Sequence, residues 1–229
     1  MRGKFRNIWL VAMASIVASF IPMHSASAQD TAGKFYVQPG LFLGGGASKV
    51  DVGTTTGGDN VSISGGGGVG GGLTLGYGVS SQVDLDITLG YQESQLSPKV
   101  ENASGTFSRA FYLATVKYRI PVNDRMQVKI GAGAGIYKPN NLDVNTSSVS
   151  NGSHNIVKYD DAAGFHVQTE LEIFFANDFS ADFGLKYYNV TYKESSGIHN
   201  GTPVTFTDSN LRNFDGSGVD VILAVAKYF

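Results

Sequence analysis

From Val83 to Tyr91 the chain reads Val-Asp-Leu-Asp-Ile-Thr-Leu-Gly-Tyr, with apolar side chains alternating with polar or very small ones. Successive side chains of an extended strand point to opposite faces, so a period of two marks a strand set between two unlike surroundings. The same alternation returns along the chain after residue 34, with polar turns between. Such a chain is expected to be all-β. Which of its two faces meets water decides what it can do.

The N-terminal stretch has another character. Arg2, Lys4 and Arg6 precede an apolar run from Ile8 to Ile21, Pro22 breaks that run, and Ala26-Ser27-Ala28 supplies the small residues a signal peptidase needs. Residues 1–28 are therefore expected to be a cleaved signal peptide, cut between Ala28 and Gln29, ahead of one domain over 29–229. A membrane-anchor helix is the alternative, but the run is short for a hydrocarbon core of about 30 Å. The chain has 17 Lys and Arg against 19 Asp and Glu; the segment removes three basic residues and no acid, leaving 14 against 19 and a net charge of −5. A mildly acidic exported protein is a poor partner for nucleic acid. Cysteine is absent, which excludes a disulfide framework, a lipoprotein anchor and a thiolate metal site.

Eight strand-like segments lie near 34–49, 66–79, 82–95, 107–121, 125–138, 162–176, 179–193 and 216–229. Short turn-forming links occur at 79–82, 122–124 and 177–178, whereas long polar links fill 50–65, 96–106, 139–161 and 194–215. Links that alternate short and long give a meander with one tight rim and one long-looped rim. The expected fold is an eight-stranded antiparallel up-and-down transmembrane β-barrel, with both ends of the meander on the tight rim.

One face carries Leu73, Leu75, Leu85, Ile87, Val116, Val167, Leu171 and Val221, and the other carries most of the charge. A soluble ligand-binding barrel would turn the apolar face inward; a membrane barrel turns it outward. Three features favour the membrane. The polar face is crowded with Gly70, Gly72, Gly76, Gly78, Gly90, Gly131, Gly133 and Gly135, which make room inside a narrow barrel but only destabilise an exposed strand. Tyr77, Tyr91, Tyr118, Phe175, Phe179 and Phe229 stand near segment ends on the apolar face, as interfacial girdles do. The last alternating strand ends on Phe229, which resembles the assembly signal of outer-membrane barrels. Lys227 departs from that pattern, standing among the outward residues where such barrels carry a hydrophobe.

The run from Lys117 to Met126, the following Gly-Ala-Gly-Ala-Gly-Ile-Tyr at 131–137 and the closing strand resemble the opacity-protein/OmpA-like "porin family" of small barrels. The resemblance spans about residues 34–229 in layout. It implies a Gram-negative outer membrane, with lipid, lipopolysaccharide and the barrel-assembly machinery as partners, and it implies no particular substrate.

In a barrel this narrow the interior is filled by side chains. Unpaired charges there are costly, so Asp84, Asp86, Glu170, Glu172, Asp182 and Asp220 are expected to pair with Lys117, Arg119, Arg125, Lys129 and Lys186. These pairs form either a structural plug or a gated ion path. No catalytic, cofactor-binding or metal-binding set is expected. His154 and His199 lie in loops, and His166 has no Ser or Asp beside it to complete a triad. Gly66 to Gly71 mimics a dinucleotide glycine pattern, but a strand follows where a helix is required. Asp160, Asp161 and Asp208 lack the spacing of a calcium loop. The long loops, with Phe206 and Phe214 as isolated aromatics, are the place for contact with host or other surface ligands. A solvated fringe among lipopolysaccharide sugars is the alternative. The expected function is therefore a non-enzymatic surface scaffold presenting four external loops. A narrow OmpW-like channel is the second reading, and a soluble periplasmic ligand-binding barrel the third.

Overall fold

The computed structural model describes residues 31–55, 57–99, 103–146 and 153–229. The expected signal peptide and its cleavage site at Ala28 and Gln29 lie outside the described residues. The strand β1 (Phe35–Gly46) is followed by the short β2 (Val50–Thr54) and β3 (Asn60–Ile63), then by β4 (Gly67–Gly78). Next come β5 (Val83–Gln95), β6 (Ser104–Asn123) and β7 (Met126–Pro139), then the short β8 (Leu142–Asn145) and β9 (His154–Tyr159). After β10 (Ala162–Ala176) and β11 (Phe179–Asn189) the chain forms β12 (Thr191–His199), β13 (Thr202–Val204), a single helical turn α1 (Ser209–Arg212) and β14 (Asn213–Asp215). The last strand is β15 (Gly218–Tyr228).

Eight of these strands pair antiparallel in an unbroken ring. Their order is β1, β4, β5, β6, β7, β10, β11, β15, and β15 returns to β1 through Tyr36 opposite Tyr228 and Leu41 opposite Leu223. Closure satisfies every strand edge within the wall, the condition for crossing hydrocarbon with strands. Among the described residues no helix is long and apolar enough to cross a membrane.

The two faces separate cleanly. Leu85 and Ile87 are 49% and 51% exposed, while Asp84 and Asp86 between them are 0% and 2% exposed. Apolar side chains continue around the outside through Leu73, Leu75, Val116, Val167, Val221 and Val225, all of them exposed. The apolar surface is therefore the outer one, and the soluble barrel with an apolar interior is excluded. Tyr77, Tyr91, Tyr118, Phe175 and Phe229 are exposed on that surface.

The long links are not loose polar loops. At this rim β6 and β5 outrun the ring; β8 pairs with the start of β6, β9 with β8, and β12 with β9. The hairpin of β2 and β3 packs beside them, and β13 and β14 both pair with β12. These elements form a folded cap with its own apolar core. Val50, Ile63, Phe107, Leu142, Val157, Tyr159, Val190, Tyr192 and Phe214 are all buried in it. Phe214, expected to be an isolated loop aromatic, meets Phe107 edge-to-face with ring centres 4.9 Å apart and stacks on Tyr159 at 5.4 Å. The expected strand over 179–193 is likewise two strands. β11 stops at Asn189, buried Val190 turns into the cap core, and β12 starts at Thr191.

Candidate functional site

The inner face of the wall gathers its charges into layers. Nearest the tight rim Arg119 clasps Asp84, its Nε donating at 2.6 Å and its Nη2 to the other carboxylate oxygen. Lys129 lies 2.8 Å from Glu172 and 3.5 Å from Asp182. Glu172 also accepts from Ser180 Oγ and Tyr228 OH, each at 2.6 Å, and from Gln127. Above this, Lys117 bridges Asp86 and Glu170 at 2.8 Å each, and Tyr36 donates to Asp86.

Toward the long-looped rim the surroundings become aromatic. Lys186 meets Asp220 at 3.3 Å and sets its ammonium 4.5 Å from the Phe42 ring centre and 4.9 Å from that of Phe111. Attraction between a cation and a ring face adds to the ion pair where water is excluded. Arg109 then ties the lumen to the cap: it donates to the Gly65 carbonyl at 2.9 Å, to Gln92 Oε1 at 2.7 Å and to Tyr188 OH at 2.6 Å. Gln92 in turn donates to Asp220 at 2.9 Å.

The structure thus brings together Asp84, Asp86, Lys117, Arg119, Lys129, Glu170, Glu172, Asp182, Lys186 and Asp220, all buried inside the wall. Arg125 is a correction. It shares the inward parity of Gln127 and Lys129, yet it is exposed in the turn between β6 and β7, because β7 begins only at Met126. Before the strand starts, the turn and not the alternation sets a side chain's direction. Arg109 is the charged lumen residue that alternation did not reveal. It lies in phase with Thr115, Lys117 and Arg119, but inward-facing Phe111 and Leu113 interrupt the polar series.

The remaining His and Asp candidates have partners within the wall or the cap. His166 shares a 2.9 Å hydrogen bond with Thr115. His154 pairs with Asp143 at 2.9 Å and His199 with Asn155 at 2.7 Å, both on the cap surface. Asp161 lies 3.3 Å from Lys138, and Asp208 accepts from the Asn210 amide to cap α1. Among the described residues no group of three or more His, Cys, Asp or Glu is placed to hold a metal. At the tight rim, outward-facing Lys227 stands 4.3 Å from the Phe179 ring centre and 5.5 Å from that of Phe229, whose amide donates to the Phe35 carbonyl at 2.9 Å. Within the cap a cleft of ≈ 170 Å³ is lined by Val52, Leu142, Val144, Val157, Phe206 and Leu211, with Asp51 and Asn155 as its polar members.

No curated protein sequence is similar to this chain. Among solved structures it is similar to the outer membrane protein OprG from Pseudomonas aeruginosa, with 12% identity, a TM-score of 0.58, and 89% of this chain and 99% of that one covered. It is also similar to Neisserial surface protein A (NspA), with 14% identity, a TM-score of 0.50, and 86% and 99% of the two chains covered. At these identities the likeness is one of fold. Residues 13–219 match the family model for the outer membrane protein beta-barrel domain. With its closed ring, apolar outer face and polar interior, the chain belongs to that family and is a protein of the cell outer membrane.

Proposed function

We propose that the protein is a non-enzymatic surface scaffold. Its barrel is an anchor closed to solutes, and its folded cap carries recognition outside the cell. The observation that supports this reading is the burial of the lumen charges along its whole height: Arg119, Lys129, Lys117, Lys186 and Arg109 are each no more than 3% exposed. A conducting path would have to wet these groups and separate pairs that hold one another. The cap offers what a recognition site needs, a rigid frame with a cleft on it. Its apolar lining suits an apolar group of about benzene size, since engineered cavities of roughly 150 Å³ bind such molecules.

The expected partners are outer-membrane lipid and lipopolysaccharide around the wall, and a host or other surface ligand at the cap. The barrel-assembly machinery would read the last strand with Phe229. Planar-bilayer recording of the refolded protein tests the closed lumen. No steady conductance is expected; a reproducible open level would overturn the scaffold reading and establish the narrow channel in its place. Substitutions at partly buried positions of the cap cleft, such as Leu211→Asp, should abolish surface binding while leaving the barrel folded.

A further inference from the structure

Midway up the lumen, between the Lys117 and Lys186 layers, the packing leaves a cavity of ≈ 20 Å³. Two separate sets of ion pairs and hydrogen bonds meet it. Below, Tyr36, Asp86, Lys117 and Glu170 are linked to one another. Above, Lys186, Asp220, Gln92 and Arg109 are linked in the same way.

The cavity wall is rich in donors. Gln38 lines it, is 4% exposed, and has no partner for its Nε2. Thr74 and Thr88 also line it and bond each other at 2.8 Å, so one hydroxyl donates and the other keeps a hydrogen to give. Lys186, held by Asp220 at 3.3 Å, has ammonium hydrogens to spare. The acceptor facing these donors is the Glu170 carboxylate, whose oxygens take one bond each from Lys117 and Gln168 and retain free lone pairs.

A water needs roughly 10–15 Å³ of such space and two to four polar partners. The cavity meets both conditions. A small anion would also accept, but the described lumen already holds six carboxylates against five Lys and Arg side chains, so further negative charge is disfavoured there. We propose that one water occupies this site, accepting from Gln38 Nε2 and Lys186 Nζ and donating to Glu170. It joins the two sets into one column running from the lower lumen to the cap.

The test is a high-resolution crystal structure of the wild-type barrel in detergent, with a parallel set grown in bromide. The expected result is an ordered water about 2.7–3.2 Å from Gln38 Nε2 and no anomalous peak at that place. An empty or side-chain-filled gap overturns the proposal, and a bromide peak overturns it in favour of an anion site. In solution, Gln38 side-chain amide protons should show cross-relaxation to water in the wild type; its absence counts against the site. Gln38→Leu should remove the water while the protein still shifts in gel mobility on boiling. If that variant does not fold, the wild-type map and the amide signal still decide.

Discussion

A Cβ placed on Gly76 would stand 2.1 Å from the Tyr36 ring, and one on Gly90 would stand 2.3 Å from the Phe111 ring. These glycines leave room for the large side chains that fill the lumen, so their replacement is an over-packing problem. Gly90→Ala should cost about 1–3 kcal/mol, read as a lower urea midpoint for the refolded protein. A midpoint equal to wild type would mean that Phe111 moves freely, which its place beside Lys186 opposes. Charge removal should cost more. Lys117→Met leaves Asp86 and Glu170 facing each other without their shared cation, a loss of about 3–5 kcal/mol where a buried pair is broken from one side. The boiling shift in gel mobility should then occur at a lower temperature than in wild type. At this scale the sequence showed which residues face inward but not which one each would meet. Lys117 and Glu170 stand 53 positions apart, and their meeting depends on the registers of two strand pairs, β6 with β7 and β7 with β10.

Strand type and position followed from alternation alone where each strand was long enough to repeat it. β4, β5, β7 and β10 fall within a residue or two of their expected bounds. The cap strands escaped because each offers too few alternations to stand out from its polar neighbours. Val50-Asp51-Val52, Val61-Ser62-Ile63 and Leu142-Asp143-Val144 are such fragments, and only their assembly makes a core. That core has a pH signature. Burial pushes the Tyr159 and Tyr192 hydroxyls above the ordinary tyrosine range. Because the folded state favours the neutral form, the associated stability is fully present below an unfolded pKa of about 10 and is lost as pH rises beyond it. Tyrosinate absorbance and protease cleavage of the cap should rise together above that pH. Ionisation of these two groups with the cap still intact would contradict their placement in a dry core.

The whole molecule is a closed wall with opposite solvents on its two sides, and the sequence carried that plan through parity, glycine and turn spacing. What parity could not supply was the direction of the faces at the ends of strands, as Arg125 shows. Ile87 faces outward well inside the wall, so Ile87→Arg should cost about 2–4 kcal/mol if it sits near the bilayer midplane. Refolding yield into vesicles should fall accordingly, whereas an unchanged yield would deny lipid contact at that position. The length of β6 has a further consequence. Twenty residues at about 3.3 Å each reach roughly 66 Å, or about 50 Å along the normal at a tilt near 40°. An apolar band about 25 Å tall uses half of that height. The same strand therefore serves as a stilt, lifting the cleft well clear of the acyl chains. Whatever seats there is met at the height of the sugars, at a fixed stand-off set by one continuous strand.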